Sequence, residues 1–252
     1  MRFIQLFAII ILVSFASCQN KVSGRLANHE LLTIDKTVGA DSSMLALIEP
    51  YRDTLNLLMD EVIGFNETYM RSEKPESPLS NFVADLVLQA GAAFLAESGI
   101  SGIEIMSLIN VRGLRAPLQQ GKVTMRNAFE VMPFENQMTV VKLNGIQIKR
   151  LFNHIAKSQG DGISGATFTM EGENAENITI GGKPLTDTTE YWVVTSDYLA
   201  NGGDGYDVFQ ESEHILTAEA KIRDLIIAHI KMLHSNGQPI VADRRVRITV
   251  IG

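Results

Sequence analysis

The chain has 252 residues, 45% of them hydrophobic and 20% charged, which supplies enough apolar material for a real core and excludes an intrinsically disordered protein. A formal net charge of −7, with no concentrated basic stretch, argues against a nucleic-acid surface, because such a surface needs clustered cations to neutralise phosphates. A small anion held by a few local arginines stays open, and a single cysteine excludes a disulfide within the chain.

Residues 1–18 read as a secretory signal: Met1-Arg2 is the positive start, Phe3 to Val13 an apolar core broken by Gln5, and Ser14-Phe15-Ala16-Ser17 a small-residue approach to Cys18. The apolar core is shorter than the roughly 20 residues a membrane-spanning helix needs. The placement of Cys18 resembles a bacterial lipoprotein box, which implies lipid attachment there and an extracytoplasmic protein anchored to a membrane, in the periplasm or at the cell surface. A plain signal peptide with a stray cysteine is the simpler alternative. Residues 19–32 are polar and read as a tether. Within them Asn28-His29-Glu30 resembles one piece of the metal signature of calcineurin-like phosphoesterases, but the Asp-x-His and Gly-His-x-His pieces are absent. His29, His154, His214, His229 and His234 have no ligand spacing and are expected to be surface or core residues; no metal site is expected in this chain.

Residues 33–70 are expected to form a helical lead-in and a first strand. After a cap at Asp41-Ser42-Ser43, Met44, Leu45, Leu47, Ile48, Tyr51, Leu55 and Leu58 recur at three- and four-residue spacing, the pattern of an amphipathic helix ending near Met59. Val62–Asn66 reads as a short strand and Arg71 to Pro78 as a loop. A second helix, Leu79 to about Ser98, carries an alanine-rich stretch that predicts close packing on a sheet. Strands are expected at 103–109, 138–143, 166–171, 176–181, 191–196 and 245–250, with helices over 124–129, 146–157 and 218–233, the last capped by Thr217. The middle strands are close enough to pair as hairpins. The fold class is therefore α/β or α+β, a mixed β-sheet with packed helices in one domain.

Two loops stand out chemically. The apolar run Tyr191–Thr195 delivers Ser196 to Tyr206, where Gly202, Gly203 and Gly205 permit positive φ and close approach while Tyr198 and Asp204 offer a flat ring and a fixed charge. Strand 103–109 ends in Asn110-Val111-Arg112-Gly113-Leu114-Arg115, an amide and two guanidinium groups where an open α/β sheet places an anion or sugar site.

Glu76-Ser77-Pro78-Leu79-Ser80-Asn81-Phe82-Val83-Ala84-Asp85, Asn110 to Arg115, Pro133-Phe134-Glu135-Asn136 and Tyr198 to Tyr206 together resemble the C-terminal, substrate-binding domain of the 5′-nucleotidase family; the resemblance runs from roughly Ile34 to the C-terminus, with the domain itself at 71–252 and the helix before it as its lead-in. The resemblance implies that a nucleoside base lies between two aromatic rings, that the glycine-rich loop supplies a ring (Tyr198) and a ribose-binding aspartate (Asp204, with Gly203 beside it), and that Asn110 and Arg115 match the segment that reaches phosphate. Arg112 stands in that segment as a second cation. Phe134, followed by Asn136, matches the second ring in some members, or else packs in the core beside Pro133. Three departures bear on nucleotide affinity: Val111 and Arg112 replace two glycines, Glu135 replaces a glycine and adds a negative charge, and no ring precedes Phe168 around residues 162–166. Arg71 and Lys74 lie near a further family arginine, and neither is assigned.

In the family, chemistry belongs to an N-terminal metallophosphoesterase domain with two metals. No catalytic residues are expected in this chain. The resemblance implies the nucleoside- or nucleoside monophosphate-binding half of a split 5′-nucleotidase, with divalent metals expected only in a separately encoded metallophosphatase chain. The alternative is a non-catalytic binding or scaffolding lipoprotein that lost nucleotide recognition, which Arg112 and Glu135 favour.

Overall fold

A computed structural model gives the structure over residues 33–35, 37–102, 104–241 and 243–251; the signal sequence, Cys18, the tether and His29 lie outside the described residues. The chain divides into two compact units at Ile48/Glu49, and the larger, Glu49–Gly252, carries the sheets. Helix α1 (Ser42–Met59) starts as expected, with the Asp41 carboxylate accepting from the amides of Ser43 at 2.8 Å and Met44 at 3.3 Å. None of its residues is buried, and Tyr51 and Leu57 are 75% and 80% exposed, so its apolar stripe is uncovered.

There follow β1 (Val62–Asn66), α2 (Pro78–Glu97), β2 (Glu104–Ile109), β3 (Gly121–Thr124), α3 (Met125–Val131), β4 (Gln137–Asn144), α4 (Gly145–Lys157), β5 (Gly162–Ser164), β6 (Ala166–Glu171), β7 (Asn174–Ile180), β8 (Lys183–Pro184), β9 (Glu190–Ser196), α5 (Asp197–Ala200), β10 (Ile215–Lys221), α6 (Ile222–Ser235) and β11 (Ile248–Ile251). The central sheet has the order β10-β4-β9-β2-β5, with β2 and β9 parallel and the other pairs antiparallel. A second sheet runs β11-β6-β7-β8, and β1 pairs with β3.

The central strands are apolar on both faces, which is why they read as runs rather than as alternations. Met106, Leu108, Val141, Leu143 and Val193 share one core with Ile148, Leu151, Phe152 and Ile155 of α4 and with Phe168 and Met170 of the second sheet. Ile109, Met138, Val140, Trp192 and Val194 share another with Phe82, Val83, Leu86 and Val87 of α2 and Ile222, Ile226 and Ile230 of α6. The expected close approach of α2 is real: a Cβ on Gly91 would collide with both methyl groups of Val194. The mixed sheet and packed helices are as the sequence implies, and Phe168 is a core residue stacked edge-on to Phe152 at 5.2 Å.

The final helix differs from expectation. Thr217 caps nothing: it lies in β10, opposite Thr139 of β4, and the two hydroxyls hydrogen-bond at 3.1 Å. The helix begins at Ile222, whose amide donates to Asn136 O at 2.9 Å. Ala-Glu-Ala-Lys has good helix propensity, but an open sheet edge beside it offers a full ladder of partners, and the ladder wins. Strands β3, β5 and β8 were not expected; at two to four residues they are too short to show a period.

The last strand starts at Ile248 because the residues before it build an ion cluster. Arg247 is buried, donating to Ile163 O at 2.6 Å and to Asp85 and Asp243 at 2.8 Å each. Glu76 of the Glu-Ser-Pro motif accepts from the amides of Arg247 and Ile248, while Ser77 and Ser80 form the reciprocal cap of α2, so these residues lock the domain together. Hydrogen bonds from Arg245, with Arg247 adding to them, hold the Asp243 carboxyl well below its ordinary 3.8. A carboxyl depressed in the folded state stabilises the fold above its unfolded value, and that stability is lost as pH falls through the folded value. Melting temperatures should therefore drop steeply below about pH 4, and Asp243→Asn should flatten that slope; an unchanged slope in calorimetry would remove this cluster from the account of acid unfolding.

Candidate functional site

Strand pairing brings the distant motifs together. Because β2 and β9 are adjacent and parallel, the loops after Ile109 and after Ser196 leave the same edge of the sheet. Strand β4 is antiparallel to β9, with Met138 opposite Ser196, so the turn before β4 reaches that edge as well. A cleft of about 310 Å³ opens between them. That volume is within the roughly 300–1,000 Å³ of small-molecule clefts.

Seven of the eight site residues expected from the sequence line this cleft: Asn110, Arg112, Arg115, Phe134, Asn136, Tyr198 and Asp204. Met132 and Ile222 add an apolar part of the wall. Phe134 is 43% exposed and Tyr198 45%, so Phe134 is not a core residue, and both rings are open to a ligand. Such rings favour flat apolar partners.

The eighth residue, Gly203, lies outside the cleft wall. A Cβ there would come within 2.5 Å of Tyr198 O and 2.6 Å of the Tyr198 ring, so its role is to give that ring room. Gly202 has φ +85° and Asp204 φ +53°; aspartate is one of the few non-glycine residues that tolerates the left-handed region. The Asp204 carboxylate is held open to the cleft by two donors, Asn110 Nδ2 at 2.7 Å on Oδ2 and the Tyr198 hydroxyl at 2.9 Å on Oδ1. That hydrogen bond to Asp204 raises the Tyr198 hydroxyl above the ordinary tyrosine range. Gly113 makes the Asn110 contact possible, since a Cβ there would sit 2.7 Å from Asn110 Oδ1.

Arg112 and Arg115 are exposed and have no carboxylate partner among the described residues. The carboxylate of Glu135 forms no ion pair with either of them. Lys221 and Arg223 both hold its carboxylate, which lies outside the cleft wall, and hydrogen bonds first from Lys221 and then from Arg223 pull its pKa down to about 2. Arg223 is buried, lies over the Phe129 ring at 4.2 Å and donates to the carbonyls of Pro133 and Phe134, which fixes the turn that presents Phe134. Nothing in the sequence around Arg223 signals that role.

Three more residues support the glycine-rich loop without having been expected to. His154, anticipated as a surface or core residue, places Nε2 3.0 Å from Asp204 O and packs edge-on against the Tyr206 ring at 4.3 Å. Tyr206 is buried and donates to Asp161, whose other oxygen accepts from Val111 N. Of the two unassigned cations, Arg71 pairs with Glu73 at 2.8 Å, whereas Lys74 lies 4.0 Å from Asp161. Trp192 is four residues before the end of β9, roughly 13 Å from the loop at the usual strand rise, so its fluorescence is not a direct report on the cleft.

The arrangement can hold a flat ring, a pair of hydroxyls and an anion. Among the described residues no group of His, Cys, Asp and Glu could hold a metal ion.

The family model for the 5′-nucleotidase C-terminal domain matches residues 58–211. A trifunctional nucleotide phosphoesterase protein of Bacillus subtilis is 25% identical over 214 residues, covering 75% of this chain and 14% of its own length. Protein UshA of Yersinia enterocolitica is 24% identical, covering 75% of this chain and 34% of its own length. The chain therefore spans about a third or less of these two relatives. The 5′-nucleotidase precursor of Thermus thermophilus superposes with a TM-score of 0.69 at 23% identity, over 83% of this chain and 42% of that one; the NAD nucleotidase of Haemophilus influenzae gives 0.61 at 18%, over 84% and 42%. The motif order, the edge at which they converge and the match over more than half of its length make this chain a member of the 5′-nucleotidase C-terminal domain family.

Proposed function

We propose that this chain is the nucleoside- or nucleoside monophosphate-binding half of a two-chain 5′-nucleotidase, held to a membrane by lipid on Cys18, with the hydrolytic metals on a separate metallophosphatase chain. The observation that carries the binding part is the Asp204 carboxylate, presented by Asn110 and Tyr198 in a cleft that two exposed rings and two arginines also line. In this reading Tyr198 and Phe134 take the base, Asp204 accepts from the ribose hydroxyls, and Arg115 with Arg112 faces the phosphate. The scaffold reading rested partly on Glu135; with that carboxylate engaged by Lys221 and Arg223, the charge offers an anion no obstacle.

Calorimetric titration of the chain with adenosine and with AMP tests the binding half. Both should bind, AMP the more tightly, and a folded protein that gives no signal with either removes the proposal. The remainder is tested by isolating the full chain from its own membranes: metal-dependent AMP hydrolysis should co-purify with it, and its N-terminal peptide should carry an acylated Cys18. A soluble, unacylated chain removes the anchor, and a preparation free of phosphatase removes the partner.

A further inference from the structure

A buried carboxylate lies between the two ligand-bearing loops, and the binding scheme above makes no use of it. Asp161, just past the last turn that closes α4, is 3% exposed. Its Oδ1 accepts from Val111 N at 2.8 Å, within the turn that carries Asn110, Arg112 and Arg115. Its Oδ2 accepts from the Tyr206 hydroxyl at 2.6 Å, two residues beyond Asp204. Tyr206 is 1% exposed and wedged against His154, which itself reaches Asp204 O. The only cation near the carboxylate among the described residues is Lys74, 4.0 Å away. Burial pushes the Asp161 carboxyl up, while the Tyr206 hydroxyl, the Val111 amide and Lys74 pull it back down.

We propose that Asp161 is a positioning residue whose bond to Val111 N aims the arginine-bearing turn, and so sets how much more tightly the cleft holds a phosphorylated nucleoside than an unphosphorylated one, while its bond to Tyr206 seats the Asp204 loop for both. This rests on the nucleotide reading of the cleft. The two bonds act on different parts of the ligand. The bond to Val111 fixes the three-residue turn Val111–Gly113, which carries Arg112 and leads through Leu114 into Arg115, so the backbone from which both guanidinium groups leave is held in place. The bond to Tyr206 fixes the loop that presents the Asp204 carboxylate. A charged acceptor makes each bond roughly twice as strong as a neutral one would. A residue that merely props up the fold would lower the affinity for every ligand in the same proportion. A residue that aims the arginines changes the ratio between ligands.

The experiment is titration of the full chain in detergent with adenosine and with AMP, for the wild type, Asp161→Ala, Asp161→Asn and Tyr206→Phe, with thermal melts to establish folding. The AMP-to-adenosine affinity ratio is expected to fall about tenfold in Asp161→Ala and about threefold in Asp161→Asn, whose neutral oxygen still accepts from Val111 N. Tyr206→Phe should weaken both ligands alike and keep the wild-type ratio, because the Val111 bond survives. If Asp161→Ala does not fold, Asp161→Asn against Tyr206→Phe decides. A wild-type ratio in folded Asp161→Asn, or an equal fall in Tyr206→Phe, overturns the proposal while leaving the nucleotide reading intact. A wild type that binds neither ligand overturns both.

Discussion

Replacing Asp204 by Asn removes most nucleoside affinity and leaves the fold in place. The carboxylate has two oxygens for two adjacent hydroxyls, whereas a carboxamide has one acceptor and turns its NH₂ toward the other hydroxyl. Hydrogen bonds to a charged acceptor contribute about 1.5–3 kcal/mol each and neutral ones about half that, so losing one and weakening the other costs about 2.7 kcal/mol, a hundredfold in affinity. The fold survives because Asn also tolerates the left-handed backbone found at residue 204, and because Asn110 and Tyr198, the two donors on the carboxylate, stay in contact with water. Titration with adenosine checks this. A variant that keeps its affinity within about threefold, at an unchanged melting temperature, would show that the ligand hydroxyls go elsewhere, and the assignment of Asp204 would fall.

Gly160→Ala is expected to cost the fold about 3 kcal/mol. Its φ of +99° is unfavourable for any residue with a Cβ, and the added atom would lie 2.6 Å from Pro75 C and closer still to Pro75 O and Cα. Backbone atoms cannot rotate away as a side chain can. Gly160 also closes the end of α4, its amide donating to Ile155 O at 2.8 Å, so the strain cannot relax by unwinding without losing that bond. For a chain of this size the loss corresponds to roughly 6–12 °C in melting temperature. Gly99 is the control: its φ is +78°, but nothing lies within 4 Å of a Cβ there, so Gly99→Ala should cost only about 1 kcal/mol. Equal losses in the two variants would show that the Pro75 collision relaxes.

The ligand loops were legible in the sequence because their chemistry is concentrated in a few consecutive residues at strand ends. Asn110, Arg112, Arg115, Tyr198 and Asp204 could all be picked out before any geometry was known, and parallel pairing of β2 with β9 then places them at one edge. Their supports were not legible. Asp161, His154 and Arg223 act through contacts 45 to 90 positions away in the chain, and isolated polar residues in ordinary surroundings carry no local mark of such partners. The pairing of Glu135 is hidden for the same reason: its position beside Phe134 is visible, but its engagement by Lys221 and Arg223 depends on where β10 hands over to α6. That handover was itself hidden, since the alternating residues of Ile215–Lys221 also suit a helix until an unfilled sheet edge is present to claim them.

The two donors on Asp204 also decide what the cleft leaves alone. A carboxylate exposed in a cleft is ordinarily a landing place for divalent cations. Here one lone pair on each oxygen already accepts, from an amide and from a phenol, and two arginines line the same cleft. A magnesium or zinc ion would find the carboxylate partly engaged and would sit beside uncompensated positive charge. The cleft is thus a poor chelator, and its negative group is kept for hydrogen-bond donors rather than for divalent ions.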